Sequence, residues 1–479
     1  MMLVALDIFV VLSVCLGPAI AVAFFVFYTG ADFGYWACRF SMGILLSTSF
    51  LIPFSDSVFG APLIVRISMR SGDYPDYILT FTGVSVCFVI LTALLIAVSV
   101  LVSWTNVLYR LREFYIILFV IEFCLFQLFL VDDIFLFYFF YESIVIPVFF
   151  LILIWGSRER KAVAAFQFFV FTFLGSILML AAIFVLYSEL GSTDMTVLRE
   201  KAVLLRGDVG RYVWLALFLA FMVKTPMVPV HSWLPEAHVE APTAGSVLLA
   251  GILLKMGLYG MYKFLVLLLP AASHFFFPLV VILGVFSIVY ISSIILVQTD
   301  LKKIVAYASI AHMNFAAIGL FSGSLEGVVG SLYLLLMHGI VSSGLFICVG
   351  ILYDRYHTRQ LYYYGGLTAT MPIFCGFLLL FVLANFALPL TGSFVAEFLV
   401  FVGVADASGM AVFLISCNII FSAGYSIWLF GRLAYGPIRP YVPQYSDLNR
   451  REFIILSGLA FLTVAGGVFP GPILSLLIP

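Results

Sequence analysis

The sequence predicts an all-α polytopic membrane protein with about fourteen transmembrane helices, and three observations carry that prediction. Apolar residues make up 64% of the 479 positions and charged residues 10%, against roughly 45–50% and 25% in soluble domains. The mean hydropathy is +1.20. The apolar runs are continuous rather than alternating, which favours helices and makes strands unlikely.

The elements follow in order. Hydropathy places spans near 3–28, 36–53, 78–104, 113–131, 134–155, 163–187, 211–230 and 243–269. The second half gives 275–297, 303–321, 328–353, 371–402, 409–431 and 452–477. Most are long enough to cross a hydrocarbon core about 30 Å thick as helices. Links such as Asp132-Asp133 and Thr299-Asp300-Leu301 are so short that they force antiparallel neighbours. The longest polar links, near 54–77, 188–210 and 432–451, leave no soluble domain. The first span lacks a basic leading region, carries Asp7 and shows no persuasive small-residue cleavage site, so it reads as a retained helix.

Basic residues are distributed unevenly between the links. Those after odd-numbered spans carry Arg110, Arg112, Arg158, Arg160, Lys161, Lys302, Lys303, Arg355, Arg359, Arg432, Arg439, Arg450 and Arg451. Those after even-numbered spans hold Arg66, Arg70, Arg199, Lys201, Arg206 and Arg211. The bias places the odd links on the cytoplasmic or matrix side. A net charge of −1 and the lack of a basic patch give no reason to expect a nucleic-acid partner. Seven cysteines (Cys15, Cys38, Cys87, Cys124, Cys348, Cys375 and Cys417) are scattered singly, which supports neither a disulfide framework nor an iron–sulfur site.

A few charged residues fall inside spans. They are Lys224 and Lys255, with Glu122, Glu142 and Glu397, and the histidines His312 and His338. An ionised group near mid-membrane costs at least ~2.5–3.5 kcal/mol, so such residues normally face a polar interior and mark ion or proton routes. The plainer alternative is a charge that snorkels to the interface or is paired for packing. Pro226 and Pro229 would free the carbonyls of Met222 and Thr225 beside Lys224. Pro389 and Gly392 repeat that pattern upstream of Glu397. Two interrupted helices in corresponding positions point to an internal repeat built around an ion pathway. His231, Glu236, His238 and Glu240 lack the spacing of a zinc motif, and no glycine-rich nucleotide fingerprint follows a strand.

The stretch KTPMVPVHSWLPEAHVEAPTAGSVLLAGILLKMGLYG, from Lys224 to Gly260, resembles the signature of the antiporter-like subunit 4, or M-type, family of respiratory complex I, the proton-pumping NADH:ubiquinone oxidoreductase. The resemblance extends to FLFYFFYESIVIPVFFLILIWGSRERKAVAAFQFF (135–169), QTDLKKIVAYASIAHMN (298–314), YLLLMHGIVSSGLF (333–346) and NFALPLTGSFVAEF (385–398). It covers the chain from about 110 onward, in family order.

The resemblance implies two inverted five-helix repeats, each with a broken helix. It implies N-terminal helices over 1–112, a first repeat over 113–269, a second over 275–431, and a link with a last helix over 432–479. Glu142 and Lys224 match the family's input pair, Lys255 its central lysine and Glu397 its terminal carrier. His312 and His338 match the histidines between the half-channels, and Glu122 is an accessory candidate. A sister subunit typically has histidine where Lys255 stands and lysine where Glu397 stands, so the pair found here favours the M-type family.

By the same resemblance, this chain carries no cofactor or redox centre. NADH, flavin, iron–sulfur clusters and quinone are expected on other subunits, and the partners are those subunits, neighbouring antiporter-like chains above all, together with membrane lipids. A stand-alone cation/proton antiporter subunit shares the fold and is the rival reading. Fifty-one phenylalanines and no presequence suggest an organellar gene product in the mitochondrial inner membrane, with a bacterial plasma membrane as the alternative.

Overall fold

Backbone inside a bilayer has no water to bond with, so each apolar run must close its hydrogen bonds within itself. The computed structural model, which describes residues 16–28, 30, 32–52, 63–67, 77–202, 205–437 and 446–478, is accordingly predominantly helical. Among the described residues, ten helices are long and apolar enough to cross a membrane. They are Gly83–Asn106, Leu111–Leu130, Ile134–Trp155, Lys161–Leu190, Thr243–Val266, Pro270–Ile295, Leu301–Leu320, Leu325–Tyr356, Gly409–Ala434 and Arg450–Val468. Gly17–Phe27 and Pro372–Asn385 are shorter apolar helices. Asp7, Cys15, Arg70 and Arg439 lie outside the described residues, as does most of the 54–77 link.

Several expected spans take a different form. The span placed at 78–104 begins as a strand, because Tyr77–Phe81 pairs antiparallel with Leu63–Ile67, Leu63 standing opposite Phe81. The segment Tyr-Ile-Leu-Thr-Phe is aromatic and β-branched, which suits a pleated edge better than a helix start. Thr82 then caps the helix proper, accepting from the Ser85 N–H at 3.2 Å. The span at 134–155 turns at Ile144, where Pro147 cannot donate to the Ser143 carbonyl. The span at 371–402 divides into Pro372–Asn385 and Gly392–Ala407, and that at 452–477 into Arg450–Val468 and Gly471–Leu477.

The chain forms two units, Met1–Lys224 with Tyr259–Ser273 and Ser475–Pro479, and Thr225–Leu258 with His274–Leu474. In the first, Phe88 and Phe129 stack at 5.2 Å, and Tyr259 meets both edge-on while donating its hydroxyl to the Phe129 carbonyl at 2.8 Å. In the second, Leu325–Tyr356 is a 32-residue helix with its central span wholly buried. Small residues let backbones approach there. A Cβ on Gly403 would overlap the Gly327 backbone, and one on Gly330 would press on Leu399 and Val400.

Each unit also contains the same junction. In the first, Asp133 accepts from the Phe135 and Leu136 N–H groups at 2.8 and 2.9 Å. Ile134 donates to the Thr193 carbonyl and Met195 to that of Asp132, at 3.1 and 3.0 Å. In the second, Asp300 accepts from the Lys302 N–H at 3.0 Å, while Leu301 donates to Arg359 and Leu361 to Thr299, at 3.0 and 2.8 Å.

Gly403→Ala should therefore cost ~1–3 kcal/mol of stability, because backbone rather than a flexible side chain must move. Gly376, inside Pro372–Asn385 with open space around it, is the control, and its alanine variant should melt like the parent. The check is the thermal inactivation midpoint of both purified variants.

Candidate functional site

The first broken helix delivers Lys224. Gly207–Lys224 ends where Pro226 and Pro229 withdraw two donors, and helix resumes only at Trp233–Glu240. The exposed backbone of the break is stitched by Val228 donating to Ser287 Oγ at 3.1 Å and by Asn314 Nδ2 donating to the Pro226 carbonyl at 3.4 Å. Lys224 is 4% exposed. Its Nζ donates to the Tyr141 carbonyl at 2.7 Å and lies 3.3 Å from the centroid of the Tyr141 ring. The ammonium is thus held by a carbonyl and an aromatic face, one residue along from Glu142 and within its electrostatic reach. Glu142 is half-buried, and its Oε1 has no hydrogen-bond partner among the described residues.

The second set of residues is more extended. The span Thr243–Val266 carries π-helical segments at Leu249–Leu253 and Met261–Val266 on either side of Lys255. Such segments widen the helix and free carbonyls, and they recur at functional sites. Lys255 is fully buried and donates to the carbonyl of Ala250, inside the first π segment. Its Nζ also stands 3.0 Å from His338 Nδ1. The His338 and His312 ring centroids are 5.5 Å apart, and His312 Nδ1 lies 3.2 Å from Glu397 Oε1. All four side chains are 4% exposed or less. The Nε2 atoms of both histidines have no hydrogen-bond partner among the described residues.

Glu397 is placed by the second break. Between Asn385 and Gly392 the chain passes through Ala387 and Leu390 at φ 59° and 77°, the left-handed region that L-residues rarely adopt. Gly392 and Gly467 make room for this turn, since a Cβ on either would overlap Met337 or the Leu390 backbone. Helix then restarts and carries Glu397 to His312.

The structure therefore gathers Lys255, His338, His312 and Glu397 into one line, and sets Lys224 on Tyr141 beside Glu142. Glu122, fully buried with neither oxygen hydrogen-bonded among the described residues, joins neither group. The zinc-like set does not converge. Glu236 pairs with Lys303 at 2.7 Å and His238 stacks on Phe346, and no group of three potential metal ligands occurs among the described residues.

Sequence reasoning missed three buried cations. Lys263 pairs with Asp132 at 3.0 Å and donates to the Val131 carbonyl at 2.6 Å. Lys302 and Arg359 are 2% and 1% exposed and donate to the Ala241 and Val239 carbonyls. All three stand at a span end or in a link, where a lysine or arginine ordinarily reaches water. The available signal was the spacing of Lys255, Tyr259 and Lys263 along one helical face.

A family model described as NADH:quinone oxidoreductase/Mrp antiporter, TM, matches residues 131–422. NADH-ubiquinone oxidoreductase chain 4 of Prototheca wickerhamii is 45% identical over 439 residues, covering 89% of this chain and 83% of that protein. The protein of the same name from Chondrus crispus is 46% identical over 400 residues, covering 83% and 81%. Among solved structures, respiratory complex I from Thermus thermophilus with bound NADH contains a chain that is 28% identical, with a TM-score of 0.88 and coverage of 98% of each chain.

The contact between Lys224 and Tyr141 separates two contributions. Tyr141→Phe keeps the ring face and the carbonyl, so turnover should stay near that of the parent. Tyr141→Leu keeps only the carbonyl, and losing a desolvated cation–π contact of ~1–2 kcal/mol should slow turnover roughly five- to thirtyfold. Steady-state rates of the two variants, compared at equal assembly, provide the measurement.

Proposed function

The chain belongs to the NADH:quinone oxidoreductase/Mrp antiporter transmembrane family, among the NADH-ubiquinone oxidoreductase chain 4 proteins, and on that premise we propose that it is the proton-translocating membrane-arm subunit of a respiratory complex I. The observation that carries the reading is the line Lys255–His338–His312–Glu397. Each member gains or loses a proton, and an imidazole takes one at one nitrogen and releases it at the other. The gap between the two rings is crossed by one bridging water or a ring rotation. Glu142 and Lys224 form the input pair, Lys255 is the central relay and Glu397 the terminal carrier. Glu122 remains an accessory proton site.

The energetics suit such a device. A charge moved fully against 100 mV requires about 2.3 kcal/mol. That equals a swing of roughly 1.7 pKa units at ~1.36 kcal/mol each. Opening and closing a buried contact to an ammonium supplies a change of this size. NADH oxidation and quinone reduction would take place on other subunits, which hold the flavin, iron–sulfur clusters and quinone, and neighbouring antiporter-like chains and lipids would surround this one. The mitochondrial inner membrane is the proposed location, with a bacterial plasma membrane as the alternative.

Fourteen crossings follow if each broken helix counts once and the helices Gly17–Phe27 and Phe33–Ser49 both cross. Two inverted repeats over 113–269 and 275–431 are supported by the matching junctions at Asp133 and Asp300.

If the histidines act in series, His338→Gln should cut proton pumping at least about tenfold in a fully assembled complex, because glutamine hydrogen-bonds but carries no proton charge. His312→Gln should do the same. The double variant should be no worse than either single one, since a broken relay cannot be broken twice. Additive losses in proton uptake per NADH would mean that the two residues serve separately.

Lys224 can be tested for proton cycling against a fixed positive charge. Lys224→Met removes the charge, so pumping and coupled quinone reduction should fall together. Lys224→Arg keeps the charge but, with a pKa above ~12, does not release its proton during turnover. It should assemble well and pump much less than the parent. Near-parental pumping by the arginine variant in reconstituted vesicles would end the cycling role.

A further inference from the structure

We propose that a hollow where the helices Pro270–Ile295 and Gly409–Ala434 end binds the headgroup of a zwitterionic phospholipid. Arg432 takes the phosphate, and the choline or ethanolamine ammonium lies among tyrosine rings. The site lies apart from the relay and does not depend on it.

Both helices are long and apolar enough to cross a membrane, so their ends fall at headgroup depth. The ends belong to odd-numbered links, on the side where basic residues concentrate. The cavity there measures about 380 Å³, within the ~300–1,000 Å³ of small-molecule sites. Trp428, Arg432, Tyr435, Tyr362 and Tyr364 are among the residues that line it. Its walls are tied together through the main chain. Leu361 donates to the Thr299 carbonyl at 2.8 Å and Gly366 to that of Tyr435 at 3.1 Å, while Thr368 Oγ1 donates to the Ala434 carbonyl at 2.9 Å. Two of the rings are held in place as well. Tyr364, 3% exposed, donates its hydroxyl to the Thr358 carbonyl at 2.7 Å, and Phe430 meets Tyr435 edge-on at 5.8 Å.

The chemistry of the hollow asks for two charges. Two helices end at it with their carbonyls, which favours a cation and disfavours an anion on its own. Aromatic faces add to that preference, and a cage of them suits an alkylated ammonium above all. Arg432 asks for the opposite. It is exposed, its guanidinium lies 5.9 Å from the centroid of the Trp428 ring, and no carboxylate pairs with it among the described residues. A guanidinium in that state takes a phosphate through two parallel N–H bonds. A simple cation would be repelled by Arg432, and a simple anion by the helix ends. A phosphocholine or phosphoethanolamine group satisfies both, since its two charges are a few bonds apart.

An interfacial belt of aromatic residues accounts for the depth at which Trp428 and the exposed tyrosines sit. It does not account for a walled hollow behind them, nor for the buried Tyr364 that lines it. Leu296 and Val297, 47% and 78% exposed, border the same hollow and give the acyl chains an apolar edge by which to leave it.

The test uses the whole complex, purified in detergent and titrated with a phosphatidylcholine that carries a photoreactive group beside its headgroup. Labelled peptides are located by mass spectrometry in the parent, in Arg432→Gln and in Tyr362→Ala. Tyr362 is 72% exposed, so its alanine variant removes a ring without disturbing the core. The expected result is saturable labelling of the segment from Trp428 to Tyr435. Unlabelled phosphatidylcholine or phosphatidylethanolamine should displace the probe at least about tenfold more effectively than phosphatidylglycerol or free phosphocholine. Apparent affinity should fall about tenfold in Arg432→Gln and roughly two- to fivefold in Tyr362→Ala. Equal displacement by phosphatidylglycerol would overturn the zwitterionic ligand, and equal displacement by phosphocholine would overturn the lipid. Parental labelling in both variants, or no label on that segment because a partner chain covers it, would overturn the site.

Discussion

An ammonium group withdrawn from water needs another dipole to hold its charge, and a membrane helix ordinarily has none to offer, since its carbonyls are bonded to its own N–H groups. Four buried lysines meet this constraint in the same way. Lys224 uses the carbonyl of Tyr141, Lys255 that of Ala250, Lys263 that of Val131 and Lys302 that of Ala241. Each acceptor stands where regular helix falters: before the turn at Ile144, inside a π segment, or just past a helix end. The prolines, π segments and helix ends are therefore the means by which this fold tolerates charge. A carbonyl holds an ammonium less firmly than a carboxylate does, and Lys263 adds one, that of Asp132, at 3.0 Å.

Much of this was legible in the chain. Hydropathy alone identified the ten long apolar helices among the described residues, because continuous apolar runs leave the backbone no other way to satisfy itself. Pro226 and Pro229 beside Lys224, and Pro389 with Gly392 before Glu397, marked the two interruptions through the donors they lack or the conformations they permit. What stayed hidden depends on partners distant in sequence. The five residues from Tyr77 read as the start of a long helix until Leu63–Ile67 paired with them. Lys263, Lys302 and Arg359 read as interfacial because their positions along a span give no sign of what packs over them. Lys224 was matched with Glu142 as a pair, and no residue pattern showed that Tyr141 takes up the ammonium beside it.

The matching junctions illustrate the same limit. Asp132-Asp133 and Thr299-Asp300 share one residue type, and Thr193 and Arg359 share none. Yet each pair makes the same two reciprocal backbone bonds and the same aspartate cap. Main-chain bonding is indifferent to side-chain identity apart from the cap itself, so the equivalence survives where the letters have diverged.

The glycine contacts between Leu325–Tyr356 and Gly392–Ala407 bear on how the second unit does work. His338 rides on the first of these helices and Glu397 on the second, and at Gly327, Gly330 and Gly403 their backbones touch without side chains between them. Helices seated in this way cannot slide or rock past one another without unseating the contact. The spacing between the helix of His338 and that of Glu397 is then a fixed gauge rather than a moving part. On the proposed reading, protons would cross that unit through rotamers, water and hydrogen-bond polarity, as in a proton-conducting solid, and not by a piston.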